Sequence, residues 1–132
     1  VQENYEHPNN WSAESFLADL ENPTNTYYGV WIQRQLVGFL GVQSVLDEAT
    51  ITNIVIAKDY QGKGLAQRLW QMALYDLKQK DVKVVFLEVR ESNKRAQYLY
   101  EILGFEAFHT RSDYYSDPVE DAIEYRLEIE QR

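Results

Sequence analysis

Two side chains stand out for the chemistry they could do together. Glu88 is the only carboxylate in the apolar run VKVVFLEV (82 to 89), and in an extended chain it shares a face with Val84 and Phe86. Burial among them would favour its protonated form and suit a general base working near neutral pH; turned outward, it would merely meet water or Arg90. Tyr100 lies twelve residues on, on the inner side of a helical pattern. An inward Tyr at that spacing is more often core than catalyst, but a buried phenol needs a hydrogen-bond partner. Twelve residues carry the chain off a strand end and back along a helix, so both side chains can face one cleft. The sequence has no Cys and only His7 and His109, which excludes an acyl-cysteine intermediate and disfavours a metal cluster.

A second feature is the junction YQGKGLAQRLW (60 to 70), where Gln61, Gly62, Lys63 and Gly64 follow the apolar ITNIVIA. Glycines ahead of a helix leave N–H groups pointing outward, where the helix dipole also favours negative charge; phosphate is the natural guest. A tight turn with no ligand is the plainer alternative. The Walker pattern is absent, and the dinucleotide pattern fails because Gln67 stands where the third glycine belongs. The residues fit Q-x-x-G-x-A instead.

These groups need a scaffold. Ser12 with Ala13, Glu14 and Ser15 reads as a helix start running to about Leu20 and stopped by Asn22-Pro23. YYGVWIQ (27 to 33) and LVGFLGVQSVL (36 to 46) form an expected hairpin about Arg34-Gln35, and EATITNIVIA (48 to 57) follows across Leu46-Asp47. From Gly64 to about Lys80 the residues Leu65, Leu69, Met72, Ala73 and Leu77 share a helical face. Residues 82 to 89 read as a strand buried on both faces and parallel to the one before the helix. A second helix, 93 to 103, has the inner face Ala96, Leu99, Tyr100 and Leu103 and ends at Gly104. FEAFHT and AIEYRLEIE close the sheet as an antiparallel pair around a loop, RSDYYSDPVED. The order α, β, β, β, α, β, α, β, β describes a mixed α/β fold, taken as one domain over residues 1–132.

Composition limits the partners. A hydrophobic content of 45% with 14% aromatics excludes a disordered chain, and no apolar run approaches a membrane span. The expectation is a soluble, cytoplasmic protein. Thirteen basic against 21 acidic residues, a net charge of −8, argue against direct nucleic-acid binding and suit a cationic partner or simple solubility.

The Gln61–Ala66 stretch resembles the coenzyme A diphosphate loop of the GNAT N-acetyltransferases, [QR]-x-x-G-x-[GA]. LEVRESNKRAQYLYEILGFE (87 to 106) is similar to a second family segment, matched at Asn93, Ala96, Leu99, Tyr100, Gly104 and Phe105. Within the family, LEVR, SN, DEAT and the pair Tyr114-Tyr115 are most like the RimI-type ribosomal-protein-alanine N-acetyltransferases. The resemblance runs from about Trp11 to Leu127. It implies the GNAT fold: a mixed, mostly antiparallel central sheet with a V-shaped splay between two parallel strands, flanked by helices. It also implies that the strand and most of the helix opening that fold precede Val1.

By the same resemblance acetyl-CoA is the co-substrate, with no metal. Gln61, Gly62, Lys63, Gly64, Leu65, Ala66 and Gln67 would hold its diphosphate, Asn93 its pantetheine or diphosphate, and Ile54, Val55 and Ile56 its acyl and pantetheine channel through backbone groups freed by the splay. Lys63 reads equally as a solvated turn residue, and Asn93 equally as a helix cap. Glu88 corresponds to the base, acting directly or through water, and Tyr100 to the acid that protonates the departing thiolate. Tyr114 and Tyr115, with Asp117, Glu120 and Asp121 nearby, border the acceptor, although a solvated turn explains the segment as well. His109 could assist, but a surface strand histidine is the simpler reading. An α-amine with pKa about 7.8 is neutral in roughly a tenth of molecules at pH 7, and a lysine in well under one per thousand. A base such as Glu88 therefore favours an N-terminal acceptor, by implication a ribosomal protein starting with alanine, met by a monomer or weak dimer. The competing readings are a GNAT acetylating a small amine and a non-catalytic acetyl-CoA-binding module.

Overall fold

A computed structural model describes residues 24–130. The helix expected from Ser12 lies outside the described residues. Six strands form one mixed sheet: β1 (Asn25–Ile32), β2 (Gln35–Val45), β3 (Glu48–Ile56), β4 (Val84–Arg90), β5 (Glu106–Tyr115) and β6 (Glu120–Glu128), with α1 (Leu65–Gln79) between β3 and β4 and α2 (Lys94–Ile102) between β4 and β5. The order across the sheet is β1-β2-β3-β4-β6-β5, so the last strand enters between β4 and β5. The β1–β2 turn centres on Gln33 and Arg34, both at positive φ, one residue earlier than the sequence suggests.

β3 and β4 are parallel, as the intervening helix requires, but they pair only at Glu48↔Val84, Ala49↔Val85 and Thr50↔Phe86. Beyond Thr50, β3 stays with β2 and β4 stays with β6. The expected splay therefore opens between the ends of two strands, each held on its far side.

One irregularity sets what faces the gap. Across the β2–β3 ladder Val42 opposes Ile51 and Gly41 opposes Asn53, leaving Thr52 as an extra residue. This is a bulge, and it reverses the strand's alternation. Ala49 and Ile51 before it, and Ile54 and Ile56 after it, all belong to or pack on the core beneath the helices. Asn53 and Val55 are buried outside that core cluster, on the opposite face. β4 has no bulge: Val85, Leu87 and Val89 enter the core, and Phe86 and Glu88 face the other way.

The core is carried on α1 by Leu69, Trp70, Ala73 and Leu77. Met72, expected on this face, is 44% exposed, and Trp70 takes the place. The helical stripe turns slightly from the expected one because the Trp70 ring packs on Phe105 with centroids 5.2 Å apart. β4 was expected to be buried on both faces; only one is, because the other opens to the cleft and to the edge ring of Phe108, 6.0 Å from Phe86.

The largest departure is at residues 111 to 121. The expected loop is mostly strand: Arg111 pairs with Ala122 and Tyr115 with Glu120 across a register irregularity, so only residues 116 to 119 turn. Its tyrosines favour extended chain, and the hairpin is fastened by an Arg111–Glu124 ion pair at 3.3 Å and by the Asp113 N–H donating to Asp121 Oδ1 at 2.8 Å.

Candidate active site

The splay continues into a cleft of about 760 Å³ that runs from the start of α1 to the hairpin of β5 and β6. Its floor is made by β3 and β4, and one wall by α2.

At the α1 end, Gln61, Gly62, Gly64, Leu65, Ala66 and Gln67 line the cleft, while Lys63 is exposed and does not. Gly62 and Gly64 have φ of 76° and 79°, a region that costs any residue with a Cβ, and no atom lies within 4 Å of where a Cβ on Gly62 would stand. The glycines thus bare the backbone at the N-terminus of a 15-residue helix that no side chain caps. Gln61 faces back instead: its Nε2 donates to the Ile56 carbonyl at 3.0 Å and fastens the junction to the end of β3.

Along the floor, Ile54 and Ile56 line the cleft and Val55 does not. The Ala57 N–H donates to Val37 at 2.8 Å on β2. By the two-residue alternation of a strand, Val55 also directs its backbone to β2, and Ile54 and Ile56 direct theirs into the gap. Amides there suit an extended ligand, which can complete an unfinished sheet edge. The backbone, the bared helix end and the long apolar floor together fit a diphosphate followed by a pantetheine arm.

Tyr100 is buried in this wall, wedged against Phe105 and Tyr125 with centroids 6.1 Å and 6.3 Å away. Burial, and then the neighbouring Tyr115, push its phenol far above the ordinary range, so it keeps its proton at any working pH. Its hydroxyl makes no hydrogen bond within the described residues, although it lines the cleft. Asn93 caps α2, its Oδ1 accepting from the Ala96 N–H at 3.1 Å, while also lining the cleft.

Glu88 lies across the cleft but is exposed, contrary to the desolvation expected for it. The strand face it shares with Phe86 is open because β3 has already moved away. The Tyr114 hydroxyl donates to Glu88 Oε1 at 3.1 Å. The Glu88 charge, then burial, raises the Tyr114 phenol. Burial first, then Glu88, push Tyr115 up to about 12. Tyr115 lines the cleft with the Arg90 guanidinium 4.3 Å above its ring, whereas Tyr114 reaches the site only through Glu88.

The nearby acids are already engaged. Glu120 accepts from the Ser92 N–H at 2.8 Å and from Arg90 at 3.2 Å; the Ser92 bonds, then Arg90, hold its carboxyl below the usual range. Asp121 accepts from Asp113, Asp117 is in the turn, and His109 is exposed on β5, away from the cleft. Among the wall residues that the sequence reading did not single out are Arg90, and Asn53, whose signal was a lone amide inside an apolar strand. Among the described residues no cluster of three or more metal-ligating side chains occurs, and no helix is long and apolar enough to cross a membrane.

Comparison with known proteins agrees with this geometry. Residues 2–105 match the acetyltransferase (GNAT) family model. A ribosomal protein bS18-alanine N-acetyltransferase of Escherichia coli (strain K12) is 37% identical over 123 residues, 90% of this chain and 81% of that protein. The crystal structure of the ribosomal-protein-S18-alanine N-acetyltransferase from Escherichia coli superposes with a TM-score of 0.88 at 34% identity, covering 100% of this chain and 85% of that one. A GNAT family acetyltransferase from Elizabethkingia anophelis with acetyl-CoA bound shares the fold: TM-score 0.77 at 21% identity, covering 89% of this chain and 84% of that one.

Proposed function

This chain belongs to the GNAT acetyltransferase family and is an acetyl-CoA-dependent N-acetyltransferase, and from that premise we propose that Glu88 and Tyr100 carry transfer to the terminal α-amine of a ribosomal protein beginning with alanine. The observation that carries this reading is the placement of those two groups on opposite walls of one cleft whose far end is a bared helix N-terminus. Acetyl-CoA supplies the thioester that the amine attacks directly, with both substrates present together. Gly62, Gly64, Leu65, Ala66 and Gln67 hold the diphosphate with main-chain N–H groups, Gln61 fastens their loop to Lys58 and Ile56, and Ile54 and Ile56 align the arm that follows. Lys63 and Val55 contribute through chain position rather than through contact.

Glu88 removes a proton from the amine, directly or through a water, and being exposed it exchanges that proton readily with solvent. Tyr100 presents its O–H to the departing sulfur. Its raised pKa makes it a hydrogen-bond donor that leads proton transfer only as negative charge builds on the sulfur. Tyr114 orients Glu88, and Tyr115 shapes the acceptor entrance. Asn93 both starts α2 and faces the arm. The identity of the acceptor rests on the Escherichia coli relatives named above, and the site of action that follows is the cytoplasm.

The test uses purified protein, acetyl-CoA and two peptides: the N-terminus of bS18 starting with alanine, and the same peptide N-terminally blocked but containing an internal lysine. The first is acetylated at its α-amine, shown by mass spectrometry, and the second is not. Equal labelling of the lysine peptide overturns the assignment.

A further inference from the structure

Asn53 is 5% exposed, yet its Oδ1 is sealed away with no hydrogen-bond partner. Its amide nitrogen is neither sealed nor bonded to the described chain, and the residue lines the cleft. With Oδ1 enclosed, Nδ2 is the only polar end of this side chain that a group admitted by the cavity can reach, and it is a donor.

The Thr52 bulge explains why Asn53 is there. The last β3–β4 pair is Thr50↔Phe86. The next β4 residue on that face is Glu88; on β3, past the extra residue, Asn53 is turned to the corresponding face, and both line the cleft. Both lie on the face away from α1 and α2, whereas the helix end and Tyr100 belong to the helix side. An acceptor that gives its amine proton to Glu88 thus enters a cleft that carries Asn53 on the same face. In a peptide, the first polar group after that amine is the carbonyl of its first residue, an acceptor matched to an amide N–H.

We propose that Asn53 is an acceptor-binding residue whose Nδ2 donates a hydrogen bond to the carbonyl oxygen of the acceptor's first residue. It thereby selects peptide termini over simple amines. The inference rests on the N-terminal acetylation reading and assigns a specificity contact to the same cleft.

The experiment compares wild type with Asn53→Leu, close in volume and without polar atoms, on two acceptors: an alanine-starting peptide, and isopropylamine, which lacks the carbonyl. The expected result is a fall of at least tenfold in kcat/KM for the peptide, an unchanged and poor rate with isopropylamine, and acetyl-CoA affinity within twofold by calorimetry. Thermal melting shows the variant at least as stable, since an unpaired carbonyl is gone. A peptide kcat/KM within twofold of wild type overturns the proposal, and so does an equal loss with both amines, which would place the amide against the acetyl group. Should the variant melt early, Asn53→Ala in the same assay, with the peptide-to-isopropylamine ratio as readout, decides in the same way. Wild type that ignores the peptide altogether defeats the N-terminal reading instead, a separately visible outcome.

Discussion

At its α1 end the cleft is walled by main chain: two glycines at positive φ, an uncapped helix start, and strand edges turned into a gap. At its β4 end it is walled by polar and charged side chains that touch one another, Glu88 with Tyr114, and Tyr115 with Arg90. The first end needs a particular backbone shape and tolerates many side chains; the second needs particular side chains on an ordinary backbone. A donor common to a whole family can be held by the first kind of surface, while choice of acceptor requires the second.

That contrast can be broken by substitution. Glu88→Gln should show the largest effect, a loss of kcat of about 100-fold or more with acetyl-CoA affinity within twofold, as expected for removal of a general base. A wild-type rate would remove Glu88 from the chemistry. Next, Gly64→Val forces a β-branched residue into φ 79° and should weaken acetyl-CoA binding about tenfold, measured by calorimetry, while costing on the order of 1 kcal/mol in denaturant unfolding. Tight binding by this variant would mean that the helix end does not grip the donor. Tyr100→Phe keeps the ring packing and should lower kcat about tenfold without changing donor affinity; a proportional rise in acetyl-CoA Kd would make the hydroxyl a binding group.

The smallest effect concerns pH. The unfolded chain ionises tyrosine near 10, while folded Tyr115 holds its proton to about 12. A raised folded pKa contributes stability that is full below 10 and lost as pH climbs toward 12, so unfolding free energy should fall across that window. Tyr115→Phe should flatten part of that fall, and a slope unchanged in the variant would assign it elsewhere, to Tyr100 first.

The same contrast governs how much could be read in advance. The backbone-built end was legible because its requirements are written as residue types at fixed spacing: glycine where φ must be positive, and apolar residues three and four apart on α1. The β-α-β unit and its parallel pair followed from that pattern. The side-chain end was less legible because its properties come from partners distant in sequence. Glu88 looked buried among apolar neighbours, but its exposure depends on where β3 leaves β4. Tyr114 and Tyr115 looked like loop residues because Ser112, Asp113 and Asp117 around them are turn formers, and the pairing of Tyr115 with Glu120 overrode that preference. Asn53 was harder to place because a strict alternation puts it on the core face with Ile51, and the Thr52 bulge that turns it over depends on pairing with β2.

The extra residue at Thr52 lets β3 change partway along which positions it turns inward, since Ile51 and Ile54, three apart, both reach the core. Removing Thr52 would leave a regular strand in which Ile51, Ile54 and Ile56 still point inward and Asn53 outward, so the bulge is not needed to sort these side chains. What it adds is bend and twist close to where β3 leaves β4. A chain lacking Thr52 should therefore keep the same core and run β3 alongside β4 for longer, narrowing the mouth between them.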